Sequence, residues 1–293
     1  TGVIGGELLK QIEAQHSTLV LQNNIDVKVV GISNIDGYII DEEGIDLQNW
    51  EHDLKNAGKK PNIDAFVNEM KALNLRNSVF VDNTASYDVA DKYEEILEKS
   101  ISVVTPNKVA NASDYSRYVT IHKLAAETGA RFYYETNVGA GLPVINTLKD
   151  LIKSGDEIIK IEAILSGSLN FIFSNCSSQK DFLSTVKLAR EKGYTEPDPK
   201  IDLSGKDVAR KILILSREIG CTFNLEDVEV ENCLSPQSQA TTTVEELWKT
   251  LEAYDNELYA KKIQEAEAAG KRIKYIASYE NGKAKTQITM IES

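Results

Sequence analysis

The apolar positions of the first part of the chain form short runs separated by segments of helical period. Asp26 to Ser33 carries Val27, Val29, Val30 and Ile32 between polar ends and predicts a strand. Asn34 to Pro61 is polar and irregular. Between Asn62 and Leu73, Ile63, Phe66, Val67 and Met70 share one face, which predicts a helix. Ser78–Asp82 predicts a short buried strand, Ser86–Lys99 a helix and Ile101–Thr105 the next strand. Asp114–Thr128 predicts a helix closed by Gly129, and Arg131–Glu135 a strand. Strands alternating with helices imply βα units and a parallel sheet.

The texture changes near residue 135. Asn137 to Pro143 is a glycine-rich loop whose proline opens a helix reaching Lys153. Ile158 to Phe173 reads as a long β-like run, Lys206–Ile219 as a strong helix and Arg272–Ile291 as a hairpin turning at Asn281-Gly282. This part reads α+β, with neighbouring strands antiparallel. The expected domains are 1–134 and 135–293.

Composition narrows the function classes. The 293 residues are 42% hydrophobic and 27% charged, enough to bury a core and too apolar for a disordered chain. Lys plus Arg is 33 against 45 Asp plus Glu, a net charge of −12, which argues against nucleic acid or an anionic membrane as partner. No apolar run is long enough for a membrane span, and no signal peptide is visible. Cys176, Cys221 and Cys233 are widely spaced, so neither a zinc site nor a disulfide framework is expected, and a reducing, cytoplasmic setting fits. His16, His52 and His122 have no metal-ligand spacing. Tyr279-x-x-x-Lys283 matches a tyrosine–lysine catalytic pair, but Asn281-Gly282 within it signals a turn, so the match reads as chance.

Three segments offer chemistry. The chain opens Thr1-Gly2-Val3-Ile4-Gly5-Gly6, and Gly2-x-x-Gly5 matches the second half of G-x-G-x-x-G with a helix following from Ile4. A plain helix-start turn gives the same pattern. The strand that this fingerprint requires would lie ahead of Thr1, so the natural protein is expected to extend upstream. Thr105-Pro106-Asn107-Lys108 follows a strand, where open α/β sheets bind ligands, so Lys108 is either a cofactor-facing residue or a solvated loop lysine. Gly193 to Lys211 is the richest segment. Pro197 and Pro199 stiffen a loop carrying Glu196, Asp198 and Asp202, and a helix begins near Ser204. Asp207 and Lys211, four apart, share a helix face. Ser204-x-x-Asp207 also reads as a capping box and Asp207–Lys211 as a surface ion pair. The rigid acidic loop and the apolar helix instead favour a cleft.

Together these segments resemble homoserine dehydrogenase, closest to the dehydrogenase portion of bifunctional aspartokinase–homoserine dehydrogenases, over essentially the whole chain. The carriers are Gly2–Gly6, Val81–Thr84, Val103–Lys108, Thr136–Pro143, Ile164–Ser168 and the signature A-x3-G-Y-T-x2-D-P-x2-D-L-x-G-x-D-x3-K, intact from Ala189. The resemblance implies the α/β class: a Rossmann-like dinucleotide-binding domain, its first strand missing, plus an α+β substrate-binding and dimerisation domain with a mainly antiparallel sheet. It implies reversible NAD(P)H-dependent reduction of L-aspartate 4-semialdehyde to L-homoserine, on the route to threonine and methionine. Lys211 would be the general acid, with Asp207 beside it as a catalytic-site carboxylate that binds the substrate near its amino or hydroxyl end, and with Lys108, whose like charge would lower the lysine pKa toward the working pH. Glu196 would take the substrate ammonium, Asp202 would support the lysines, and Tyr194, Gly167 and Ser168 would line the pocket. Gly2, Val3, Ile4, Gly5, Thr84 and Lys108 would hold the cofactor. Glu135 with the carbonyls of Val138, Ala140 and Leu142 would hold a monovalent cation such as sodium. No acid stands at Ser33-Asn34 to bind a ribose hydroxyl, which leans toward NADP over NAD. A small-molecule substrate and a homodimer or higher homo-oligomer follow. The family also continues past Ser293. Two other readings meet the same residues: a two-domain dehydrogenase for another amino-acid aldehyde or keto acid, and a non-catalytic nucleotide-binding module of a larger chain. The intact Lys108, Glu196, Asp207 and Lys211 argue against the second.

Overall fold

A computed structural model describes residues 1–292, which divide into two compact units, the first Thr1–Asn137 and the second from Val138 onward. In the first, helix α1 (Val3–Asn23) is followed by a two-stranded antiparallel hairpin, β1 (Gly31–Ser33) with β2 (Tyr38–Ile40). Helices α2 (Trp50–Ala57) and α3 (Ile63–Leu73) lead into β3 (Val79–Val81). Then come α4 (Tyr87–Ala90), α5 (Tyr93–Leu97), β4 (Ser102–Val104), α6 (Tyr115–Thr128) and β5 (Phe132–Tyr133). Strands β3, β4 and β5 form a parallel sheet in that order. The alternation of strand and helix from Asn62 onward therefore gives the parallel sheet that it predicts.

Before Asn62 the pattern misleads. Only Gly31–Ser33 of the apolar run from Asp26 is extended, and it joins the hairpin rather than the parallel sheet. The polar stretch that follows hides β2 and α2. The turn is made locally: Asn34 Oδ1 accepts from the amides of Asp36 (2.7 Å) and Gly37 (3.2 Å), folding the chain back before a crossover can form. The helix expected over Ser86–Lys99 is broken into α4 and α5. Arg117 of α6 takes the Ala90 carbonyl at 2.9 Å and the Asp91 carboxylate at 2.7 Å at the break. Strand β3 is buried only at Phe80, because period-two alternation sends Val79 and Val81 to the opposite, exposed face. Phe80 joins Phe66, Val67, Tyr93, Ile96, Leu97, Val103 and Ile121 in the core. Each large apolar side chain buried this way contributes about 1.5–3 kcal/mol.

The second unit runs α7 (Ile145–Lys153), β6 (Lys160–Ala163), α8 (Gly167–Asn175), α9 (Phe182–Glu191), α10 (Lys200–Leu203) and α11 (Lys206–Glu218). It continues with β7 (Glu229–Val230), α12 (Pro236–Gln239), α13 (Val244–Thr250), α14 (Asn256–Ala268), β8 (Lys271–Glu280) and β9 (Lys283–Glu292). Its sheet has the order β6-β8-β9-β7, antiparallel except for β7 with β9. The β8–β9 hairpin turns at Asn281 (φ 51°) and Gly282 (φ 78°), the two left-handed residues that a type I′ turn requires. Tyr279 and Lys283 accordingly sit on facing strands, not on one helix face. The β-like run from Ile158 ends at Ala163. Ser166 Oγ then accepts from the Leu169 amide (3.1 Å) and caps α8, so the second half of that run is helical.

Helix α11 is the centre of this unit, with Val208, Ala209, Ile212, Leu213, Ile214 and Leu215 buried. Gly205 caps it at φ 73°, and a Cβ there would stand 2.2 Å from the Tyr275 hydroxyl oxygen. Glycine at this signature position therefore lets α11 begin hard against the sheet. Ser204 does not cap the helix through a box with Asp207: the cap is Gly205, and Ser204 Oγ receives the Lys206 amide at 3.3 Å.

Candidate active site

In the second unit the β6–α8 turn meets the loop and helices of the signature segment. Lys211 points from α11 to this turn. Its Nζ donates to the Leu165 carbonyl at 2.7 Å and pairs with Asp207 Oδ2 at 2.7 Å, one turn earlier. The lysine side chain is 18% exposed and the aspartate 46%, so a largely covered ammonium faces a half-exposed carboxylate. The ion pair is thus real, but it has a second anchor that a solvated surface pair lacks.

Asp202 links the β6–α8 turn to the acidic loop. Its Oδ1 accepts from Ser168 Oγ at 2.8 Å and its Oδ2 from the Glu196 amide at 2.9 Å. Ser166 Oγ lies 3.0 Å from Ser168 Oγ and extends the chain of hydroxyls. Asp202 thus ties the start of α8 to the acidic loop. The loop is also fixed from outside, since Arg190 Nε donates to the Pro197 carbonyl at 2.9 Å. Glu196 itself is exposed. Tyr194 is half-exposed and sets its ring edge-on to Phe171, with centroids 4.7 Å apart. Gly167 is exposed at the first position of α8, and Ser168 beside it is buried.

The first unit gathers a second set of the sequence-predicted residues. Thr84 and Lys108 follow the carboxyl ends of the adjacent parallel strands β3 and β4. Gly2 is the N-cap of α1, with the exposed Val3 and Ile4 and the buried Gly5 forming its first turn. A Cβ on Gly5 would stand 3.5 Å from Asn83 Nδ2, so this helix start lies beside the loop that carries Thr84. Helix N-termini present amides without intrahelical acceptors, which suits a phosphate. Glu135 opens a 3₁₀ turn, Glu135–Asn137, at the end of this unit.

Of the expected cation ligands, Val138, Ala140 and Leu142 belong to the second unit. Gly139 (φ 83°) and Ala140 (φ 51°) are both left-handed. The Leu142 amide donates to the Gly139 carbonyl, and the Leu142 carbonyl accepts from the Val144 amide, each at 2.9 Å. Among the described residues no group of three or more His, Cys, Asp or Glu side chains is placed to hold a metal, and no helix is long and apolar enough to cross a membrane.

Sequence reasoning missed the Leu165 carbonyl and Ser166. A backbone acceptor leaves no side-chain signal. Ser166, three residues before Leu169, was available as a helix-cap cue, but the surrounding apolar residues masked it.

Comparison with known proteins follows the same division. The family model described as homoserine dehydrogenase matches residues 143–293, and that described as homoserine dehydrogenase, NAD binding domain, matches residues 1–135. A bifunctional aspartokinase/homoserine dehydrogenase of Haemophilus influenzae is 40% identical over 99% of this chain, which spans only 36% of that protein's length. A homoserine dehydrogenase of Schizosaccharomyces pombe is 38% identical over 94% of this chain and 75% of its own. A crystal structure of a Candida auris protein of unknown function superposes with TM-score 0.88 at 31% identity, covering 99% of this chain and 82% of that one. A hyperthermophilic archaeal homoserine dehydrogenase in complex with NADPH superposes with TM-score 0.73 at 22% identity over 100% of this chain and 80% of its own, which speaks to the fold alone.

Proposed function

The chain belongs to the homoserine dehydrogenase family, and on that premise we propose that it interconverts L-homoserine and L-aspartate 4-semialdehyde. The reaction moves a hydride from the carbinol carbon of homoserine and a proton from its hydroxyl; the reverse adds both to the aldehyde. A nicotinamide dinucleotide, when bound, accepts or supplies the hydride. The remaining work falls to the side chains.

The observation that carries the reading is the setting of Lys211. An ammonium has three protons to donate. Asp207 and the Leu165 carbonyl engage two of them and fix the nitrogen. In the reductive direction the third proton passes to the aldehyde oxygen as the hydride adds, leaving Lys211 a neutral amine; in the oxidative direction the neutral amine takes the proton of the homoserine hydroxyl as the hydride leaves. Asp207 holds the ammonium and faces the amino or hydroxyl end of the substrate. Glu196 accepts from the substrate ammonium, a charge-assisted contact that an alcohol without an amino group would forgo. Asp202 keeps Glu196 and Ser168 in place, and Tyr194 and Gly167 complete the wall.

On the nucleotide side, Gly2 and the first amides of α1 at Val3, Ile4 and Gly5 fit a diphosphate, with Thr84 and Lys108 beside it. NADP is the proposed form, since Ser33-Asn34 offers no acid to a ribose hydroxyl. A monovalent cation such as sodium is proposed at the Val138–Leu142 turn together with Glu135. The left-handed Gly139 and Ala140 bend the chain there as converging carbonyls require. Dimerisation through the second unit's sheet and a cytoplasmic setting complete the proposal; the three free thiols suit a reducing compartment.

The test is formation of reduced nicotinamide on adding L-homoserine with NADP, then with NAD. Its absence with both, from folded protein that binds NADPH, would reject this substrate.

A further inference from the structure

We infer that Asp82 is a positioning residue, a buried carboxylate that locks the turns carrying Thr84 and Lys108 into one rigid piece. The inference rests on the proposed cofactor-facing roles of those two residues. Asp82 lies immediately after β3 and is 2% exposed. A carboxylate taken out of water needs compensation from donors. Here three converge on it. The Thr84 amide donates to Oδ1 at 2.7 Å, while the Tyr93 hydroxyl (2.5 Å) and Asn107 Nδ2 (3.0 Å) donate to Oδ2.

Each donor ties down a different part of the nucleotide side. The Thr84 bond bends the chain two residues beyond Asp82, and Thr84 Oγ1 then accepts from the Ser86 amide at 3.0 Å. Asn107 carries the constraint across to the next strand. Its Nδ2 also donates to the Ser86 carbonyl at 2.9 Å, and its Oδ1 accepts from the Val109 amide at 3.1 Å. Lys108 is thus bracketed by a residue whose side chain is bonded on both ends. Tyr93 anchors the carboxylate to the core; its hydroxyl has one proton, which belongs with the charged acceptor. Thr105 Oγ1 in turn donates to the Asp82 carbonyl at 3.0 Å. Burial and the Asp82 charge both push the Tyr93 hydroxyl to a higher pKa, so it stays a donor at working pH.

An amide at position 82 keeps the shape and loses half of this function. Asparagine has one acceptor oxygen, so its NH2 would face the Thr84 amide in one orientation and, in the other, the incoming NH2 of Asn107 beside the Tyr93 hydroxyl. The turns should then lose their common register while the sheet survives.

The experiment compares Asp82→Asn and Asn107→Ala with Asn62→Ala in the full-length protein. Asn62 caps α3 through the Ala65 amide and serves as a control for general destabilisation. The readouts are the Kd for NADPH by fluorescence, kcat and KM for homoserine, and Tm. The expectation for Asp82→Asn is a Kd for NADPH raised by about tenfold or more, on the scale of misplaced positioning groups. Asn107→Ala, which leaves the carboxylate and the Thr84 bond intact, should lower kcat more than it weakens NADPH. It covers the case in which Asp82→Asn does not fold. Asn62→Ala should lower Tm and leave Kd unchanged. If both network variants keep the wild-type Kd and kcat and lose only Tm, Asp82 is merely structural and the inference fails. If the wild type itself binds NADPH and turns over no homoserine, the proposed reaction fails, and the Kd comparison still decides the role of Asp82.

Discussion

Lys211 donates to the backbone carbonyl of Leu165 at 2.7 Å, across 46 positions of sequence. The contact brings the end of the β6–α8 turn to the middle of α11. It means that the ammonium is held by the fold itself and not only by its helical neighbour Asp207. Removing Asp207 should therefore dull the lysine without freeing it. Asp207→Ala should lower kcat by about 10–100-fold, short of losing the acid itself. The carboxylate is half-exposed, and ion pairs open to solvent contribute about 0–1 kcal/mol, so Tm should hardly move. Paired kinetic and melting measurements check both halves of this statement.

Asp202 should act on substrate binding more than on chemistry. Asp202→Ala removes the acceptor for both Ser168 and the Glu196 amide. The loop that carries Glu196, the proposed partner of the substrate ammonium, should then loosen. KM for homoserine should rise by about tenfold, with kcat lowered less and the Kd for NADPH unchanged. An equal fall in kcat and kcat/KM would place Asp202 in the transition state instead.

Gly205 makes a stability prediction. Gly205→Ala adds a Cβ in a left-handed conformation, aimed at the Tyr275 hydroxyl. The cost should be about 1–3 kcal/mol, read as a shift in the denaturation midpoint. In a Tyr275→Phe background the hydroxyl is gone, and the added penalty should be smaller. Additive losses in the double variant would show that strain in the backbone alone accounts for the effect.

The cysteines give a prediction with a pH sign. Burial pushes the Cys176 thiol up to about 11 and the buried Cys233 thiol higher still. A raised thiol pKa keeps the neutral, unreactive form through neutral and mildly alkaline pH. In native protein at pH 8, Cys176 and Cys233 should react with a thiol reagent far more slowly than in urea, where all three cysteines should react. For Cys176 the protection should fade as pH approaches 11, provided the fold persists.

Much of this arrangement was legible in the residues. Helix α11 announces itself through Val208, Ala209, Ile212, Leu213 and Leu215, and the β8–β9 hairpin through Asn281-Gly282, whose left-handed geometry few other pairs adopt. The signature from Ala189 to Lys211 placed Glu196, Asp202, Asp207 and Lys211 in one segment, and folding brings Ser168 to Asp202 and the Leu165 carbonyl to Lys211. The segments that misled were those where local periodicity competes with an unseen partner. Asp26–Ser33 looks like a strand of the parallel sheet, but the Asn34 turn pairs its end with β2. Ile164–Phe173 looks extended by composition, yet the Ser166 cap and burial of Leu169, Ile172 and Phe173 on one face make it helical. The Asp82 network was illegible because it joins two loops and helix α5 through side chains separated by up to 25 positions.

The central claim is that Lys211 moves the proton. The most direct measurement is the initial rate of nicotinamide reduction by L-homoserine for wild type and Lys211→Ala, with the Kd for NADPH determined on both. Lys211→Ala should lose about 10²–10⁴-fold in kcat, the range of a positioned general acid or base, with NADPH affinity preserved. A Lys211→Ala protein that oxidises homoserine within a few-fold of the wild-type rate would contradict it.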